Sequence, residues 1–138
     1  MMKKRDAFWV DVTAHHESCD PGELTDALGL TPWFSSRRGD VVGTLARNST
    51  VWMAHFREGN GDREWAESLE DLLSYTESRK EYLGKFARSG GDIEVSINQA
   101  VGMQDGILFK LQLDSRVLRV CGENGISLRV QAWSAETE

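Results

Sequence analysis

The spacing of apolar residues switches repeatedly along this chain between every second position and every third or fourth position, and that switching constrains the fold more than any other feature. The first segment, residues 6–14, has apolar side chains at alternate positions: Phe8, Val10, Val12 and Ala14. A period of two predicts a β-strand with one face on the core. Trp9 lies on the opposite face with Asp11 and Thr13, so an aromatic side chain is expected on the second side of the sheet.

A short helix is predicted after this strand by its terminal residues. Asp20 is a suitable N-cap, because its carboxylate accepts hydrogen bonds from the free backbone N–H groups of the first turn. Pro21 suits the first helical position, and Glu23 completes a capping box. Gly29 suits the left-handed residue that follows a helix, so we expect a helix over about 21–28.

A long helix is predicted for residues 63–88 in the middle of the chain. Its apolar stripe recurs at steps of three and four: Trp65, Leu69, Leu72, Leu73, Thr76, Leu83 and Phe86. This face is expected to pack on the sheet. The opposite face is acidic, and four of its carboxylates are candidates for contact with a partner: Glu64, Glu67, Glu70 and Asp71.

The rest of the chain predicts further strands and a third helix, which begins after Asp114. The strands are expected at 41–46, 50–57, 93–98, 107–113 and 126–132, and residues 33–40 are expected to form a loop. The strand at 50–57 is apolar on both faces, which is typical of a central strand.

Together these segments predict an α+β fold with the order β-α-β-β-α-β-β-α-β. A single mixed or mainly antiparallel sheet of about six strands, with three helices packed on one face, would bury every apolar stripe. The 138 residues are enough for one domain over 1–138, with frayed tails at 1–5 and 134–138. The second sheet face is expected to be open and to carry aromatic and polar side chains: Trp9, Lys110, Gln112, Arg129 and Trp133.

The charge balance is acidic, with 22 Asp and Glu against 16 Lys and Arg and a net charge of −6. Nucleic-acid binding depends on clustered basic residues that displace counterions, so this balance weighs against it and favours a basic protein partner. No stretch approaches the length of a membrane span, and no apolar signal segment follows the first lysines. We therefore expect a cytoplasmic monomer or homodimer without a membrane partner.

One cluster offers side chains that bind metals or act as nucleophiles: His15, His16, Glu17 and Cys19. Adjacent residues of an extended chain point to opposite faces, so the two histidines are not expected to share an ion, and we predict no metal and no cofactor. A nucleophilic pair of Cys19 with His15, His16 or His55 needs a proximity that the sequence does not define. Because no catalytic motif is present, no catalytic residue is assigned.

Candidate ligand-binding residues occur in and after the predicted loop: Trp33, Arg37, Arg38, Arg47 and His55. The three arginines offer an anion site beside an aromatic ring, and the alternative is a solvated hairpin rim. A concave site near Trp33, Arg37, Arg38 and His55 would indicate a small-molecule- or anion-binding protein or a small enzyme.

The segment from Asp20 to Asp40 also carries a family resemblance. The run Asp20-Pro21-Gly22-Glu23-Leu24-Thr25, then Leu28-Gly29-Leu30, Pro32 and Gly39-Asp40, with Trp52 in the following strand, resembles the bacterial family catalogued as domain of unknown function 4279. The resemblance implies a small bacterial α+β protein without an assigned biochemical function, and it provides no catalytic residues to carry over. Some similar small acidic domains are immunity proteins that act beside toxins, which suggests that role here.

Two functions are therefore expected. The first is a non-catalytic protein-binding domain, for which the resemblance suggests an immunity-like role. It would use the acidic face of the long helix or the open sheet face, and its acidic charge would speed the encounter with a basic partner. The second is small-molecule or anion binding, or catalysis, in a pocket near Trp33, Arg37, Arg38 and His55. The missing catalytic motifs and the resemblance favour the first.

Overall fold

The computed structural model describes residues 7–101 and 113–134, and these form a mixed sheet with helices on one side. The elements in chain order are β1 (Ala7–His16), α1 (Pro21–Leu28), β2 (Pro32–Ser36), β3 (Val41–Val42), β4 (Leu45–Ala46), β5 (Thr50–Asn60), α2 (Gly61–Ser78), α3 (Lys80–Arg88), β6 (Asp92–Val101), α4 (Ser115–Glu123) and β7 (Ile126–Ser134). The predicted α+β class is confirmed.

The main sheet has the strand order β2-β5-β1-β6-β7. All neighbouring strands in it are antiparallel except β6 and β7, which are parallel, so the sheet is mixed as predicted. The strand predicted to have two apolar faces, β5, lies between β2 and β1 and is therefore an interior strand of the sheet. Its first residues, Thr50, Val51 and Trp52, are buried, whereas His55 and Glu58 are exposed.

The hydrophobic core lies between one face of this sheet and the helices. Every helix contributes to it: Leu24 and Leu28 from α1, Leu72 from α2, Leu83 and Phe86 from α3, and Val117 and Cys121 from α4. The alternating apolar set of β1 faces these helices, as its spacing predicted. No helix of the described chain contributes to the opposite side, which we call the open face.

The predicted helix over 63–88 is wrong in one respect, because the structure divides it at Arg79 into α2 and α3. Residues 7–101 and 113–134 therefore contain four helices, where three were predicted. Arg79 has φ −120° and ψ 15°, outside helical geometry. The Ser78 hydroxyl donates to the Tyr75 carbonyl at 2.8 Å, and the Arg79 guanidinium lies 4.2 Å from the centre of the Tyr75 ring. Such side-chain bonds compete with the helical backbone pattern, while the apolar stripe continues without a break.

The strand predicted at 41–46 is also corrected. It forms a separate two-stranded hairpin, β3 and β4, that turns at Gly43 with φ 67°, and Val41 and Leu45 are 70% and 74% exposed. On the side away from β1, β5 pairs instead with β2, and all of β2 except Pro32 lies in the segment predicted as a loop. The predicted strand at 107–113, except Leu113, lies outside the described residues, and so do Lys110 and Gln112. The predicted frayed tails at 1–5 and 134–138 also lie outside them, except Ser134, which is the last residue of β7.

Tyr75 joins α2 to α1 and provides a test of this packing. Its hydroxyl donates to the Leu28 carbonyl at 2.7 Å, and burial raises the pKa of Tyr75 to about 12. The unfolded chain releases the phenol proton near pH 10 and the folded chain near pH 12, so stability is fully present below pH 10 and falls as the pH rises between those values. Denaturation midpoints at pH 8 to 11 are expected to fall less steeply in Tyr75→Phe than in the wild type. Equal slopes would contradict this role.

Candidate functional site

A bulge in β5 determines which side chains meet at one end of the open face. In the pairing of β1 with β5, Trp9 is opposite Glu58 and Asp11 is opposite His55, with a register shift between them. The shift leaves one extra residue, Phe56, without a partner in β1, while Arg57 stays opposite Val10. As a result His55 and Glu58, three positions apart, lie on the same face.

A second irregularity places Trp33 beside them. The pairing of β2 with β5 matches Pro32 with Ala54 and Phe34 with Met53, and the register shifts between the two pairs, at Trp33. Trp33 is 63% exposed and lines the same cavity as Trp9 and His55. Bulges bend a strand and redirect its side chains. The two irregularities, in the pairing of β5 with β1 and with β2, lie beside the same cavity.

The resulting cavity has a volume of about 450 Å³ and opens to solvent. Indole rings come from two strands, Trp9 and Trp33, and polar groups come from Asp11, His55 and Glu58. The other lining residues are Ala7, Phe8, Gly59 and Asn60. We call this cavity the tryptophan pocket.

The electrostatics of the tryptophan pocket are negative. His55 lies between the two carboxylates: its Nδ1 is 3.1 Å from Asp11 Oδ1, and its Nε2 is 3.4 Å from Glu58 Oε1. The pocket therefore presents two carboxylates and one imidazole next to two aromatic walls.

A buried amide holds one of these walls in place. Asn98 of β6 is 3% exposed, and its side-chain amide donates to the Trp9 carbonyl at 3.3 Å while its Oδ1 accepts from the Trp133 indole N–H at 2.8 Å. The Trp9 and Trp133 rings stack with centroids 6.4 Å apart and planes at 27°. Asn98 therefore positions Trp9, and Trp133 extends the aromatic surface across the open face.

The structure brings together two of the five predicted ligand-binding residues. Trp33 and His55 line the tryptophan pocket, whereas the arginines have other neighbours. Arg37 pairs with Asp20 at 3.0 Å and Arg38 lies 3.9 Å from Glu17. The Arg47 guanidinium lies 5.6 Å from the centre of the Phe34 ring.

The four predicted partner-binding carboxylates of α2 all have intramolecular contacts. Glu64 accepts from the Asn60 backbone N–H at 2.6 Å and Glu67 lies 3.5 Å from Arg63. Glu70 lies 2.6 Å from Arg116, and Asp71 pairs with Arg57. The contacts of Glu64, Glu70 and Asp71 tie α2 to β5 and α4, whereas that of Glu67 lies within α2. All four reduce the charge available to a partner.

The residues around Cys19 stabilise the loop that follows β1. His16 Nδ1 accepts from the backbone N–H groups of Ser18 and Cys19, at 3.0 and 2.9 Å, and therefore cannot also take a proton from the thiol. Burial, with Glu23 and Asp20 nearby, raises the pKa of Cys19, and burial raises that of Cys121 to about 11. Within residues 7–101 and 113–134, no three His, Cys, Asp or Glu side chains are placed to hold a metal ion.

Comparison with known proteins identifies the family. None of the helices in the described part of the chain combines the length and apolar character that a membrane crossing needs. The chain has no match among curated proteins or among solved structures. The family model described as "Domain of unknown function (DUF4279)" matches residues 8–135. This match covers nearly the whole chain and confirms the resemblance carried by the segment from Asp20 to Asp40, so the chain belongs to the DUF4279 family.

Proposed function

We propose that this protein is a non-catalytic protein-binding domain whose binding surface is the open face around the tryptophan pocket. The observation that carries the proposal is the set of accessible indoles there: Trp33 is 63% exposed, Trp133 is 49% exposed, and both flank Trp9. Large aromatic side chains are enriched in protein interfaces, where they dominate the binding energy. An indole that only stabilised the core would be buried, whereas these two are exposed to solvent.

The charge distribution supports a basic partner. The chain carries a net charge of −6, and Asp11 and Glu58 line the same pocket as Trp9 and Trp33. Acidic charge accelerates encounter with a basic protein, and a partly desolvated carboxylate then selects for a cationic side chain. The open face suits this role better than α2, because the α2 carboxylates already pair within the molecule.

The raised thiol pKa values favour binding over covalent catalysis, because a cysteine nucleophile reacts as the thiolate. We further propose that this protein is bacterial and cytoplasmic and that it acts as a monomer or homodimer. Its role would be immunity-like if the partner is a toxin. The family resemblance and the acidic charge support this extension.

The proposal is tested by capture of a partner from native bacterial lysate at low and at physiological salt. We expect a stoichiometric basic protein, bound at least about tenfold more weakly by the variant Trp33→Ala/Trp133→Ala than by the wild type. The matched control is Glu67→Gln on α2, which should bind like the wild type. If no stoichiometric protein is captured, or if Glu67→Gln loses it while the tryptophan variant retains it, the proposal fails.

A second candidate function is supported by the volume of the pocket. About 450 Å³ lies within the range of small-molecule sites, roughly 300–1,000 Å³. Its negative lining favours a cationic or neutral small molecule over the anion suggested by the arginines. Saturable binding of a small molecule with no protein capture would favour this function.

A further inference from the structure

We infer that the tryptophan pocket receives an arginine side chain of the protein partner. This inference rests on the proposed function and names the chemical group that the open face recognises. The site is built from two separate strand bulges, which place Trp33 and the pair His55 and Glu58 beside Trp9 and Asp11. Bulges that converge on one cavity are typical of a functional site.

The aromatic walls favour a cation with a flat, weakly hydrated surface. The ring faces of tryptophan attract cations more strongly than those of tyrosine or phenylalanine. The guanidinium group is planar and stacks on such rings, whereas the lysine ammonium is a compact, strongly hydrated charge. Trp9 is held in position by the contact of Asn98 with its carbonyl and by its stack on Trp133, so its side of the pocket is formed before binding.

The polar groups fit the donors of a guanidinium. Asp11 and Glu58 both line the pocket, on either side of His55. Arginine has five N–H donors in one plane and satisfies a carboxylate through two parallel hydrogen bonds. A single guanidinium therefore supplies a positive charge and several donors to a pocket that carries two carboxylates.

The experiment uses the full chain and a blocked Gly-Arg-Gly peptide, followed through the indole N–H signals in nitrogen-edited NMR spectra at constant ionic strength. The five tryptophans give five indole signals, and that of Trp52, which is 0% exposed, is the internal reference. We expect saturable shifts of the Trp9 and Trp33 signals, with a Kd on the order of 1 mM for so small a ligand. The Gly-Lys-Gly peptide is expected to bind more weakly, and the neutral isostere Gly-citrulline-Gly is expected not to bind.

Two variants assign the binding to the pocket. Trp33→Ala removes an exposed ring, and Asp11→Asn replaces a carboxylate by an amide of the same shape, so each is expected to fold and to bind the arginine peptide about tenfold more weakly. Glu67→Gln is expected to bind it like the wild type. Equal affinity for the citrulline or lysine peptide, or unchanged affinity in both pocket variants, would overturn the inference.

The outcome also separates this inference from the proposed function. If a partner is captured through Trp33 and Trp133 but the arginine peptide does not bind, the open face is a binding surface and the arginine assignment is wrong. If the arginine peptide binds in the pocket but no protein is captured, the guanidinium specificity holds and the protein-binding function fails.

Discussion

Replacing Trp52 by alanine is expected to lower the free energy of unfolding by about 3–5 kcal/mol, the usual range for removal of a buried aromatic side chain. Trp52 is 0% exposed near the start of β5 and belongs to the core between the sheet and the helices. Its indole N–H donates to Thr25 Oγ1 at 3.0 Å, and the Thr25 hydroxyl donates to the Pro21 carbonyl at 3.3 Å. The ring thus fixes α1 on the sheet. A loss of this size is a large part of a typical domain stability of about 5–15 kcal/mol.

Two matched variants separate the ring from its hydrogen bond. Trp52→Phe keeps an aromatic ring and removes the donor, and it is expected to cost less than Trp52→Ala. Thr25→Val removes the acceptor and leaves the buried indole N–H unpaired, at a cost of about 1–3 kcal/mol. Urea denaturation followed by far-ultraviolet circular dichroism measures all three, because tryptophan fluorescence changes with the substitution itself. A cost below about 1 kcal/mol for Trp52→Ala would show that the core closes around the space.

Local elements were predictable because their signals are local. The alternation in β1 and the caps of α1 involve residues a few positions apart, and the structure shows the Asp20 cap and the Gly29 terminus as predicted. The break at Arg79 was not predictable, because the apolar stripe of α2 continues into α3 and the interruption comes from side-chain contacts with Tyr75. β2 was not predictable either, because it forms by pairing with β5, and β5 begins 14 residues after the end of β2 at Ser36.

The candidate site was only half predictable, for a related reason. Trp33 and His55 stand out by residue type, and Asp11 lies on the face of Trp9 by alternation. Glu58 was missed because the predicted strand ended at residue 57, and strict alternation from His55 would in any case place it on the other face. The bulge at Phe56 and Arg57 reverses that parity, and no residue in the segment demands a bulge. Asn98 was missed because its contacts with Trp9 and Trp133 depend on three strands meeting.

Replacing Gly29 by alanine is expected to lower the free energy of unfolding by about 2–3 kcal/mol, through two separable effects. Gly29 ends α1 with φ 67°, and a left-handed conformation costs an ordinary residue roughly 1–2 kcal/mol. In addition, a Cβ at this position would lie 2.6 Å from Nη2 of Arg79. The guanidinium would have to move, and its contact with the Tyr75 ring, at 4.2 Å, would be disturbed.

A double-mutant cycle with Arg79→Ala separates these effects. Removing the guanidinium leaves only the backbone strain, so Gly29→Ala is expected to cost about 1–2 kcal/mol in that background. Gly29→Asn, which tolerates the left-handed conformation better, should be milder than alanine in both backgrounds. If Gly29→Ala costs the same with and without Arg79, the guanidinium does not restrict this turn.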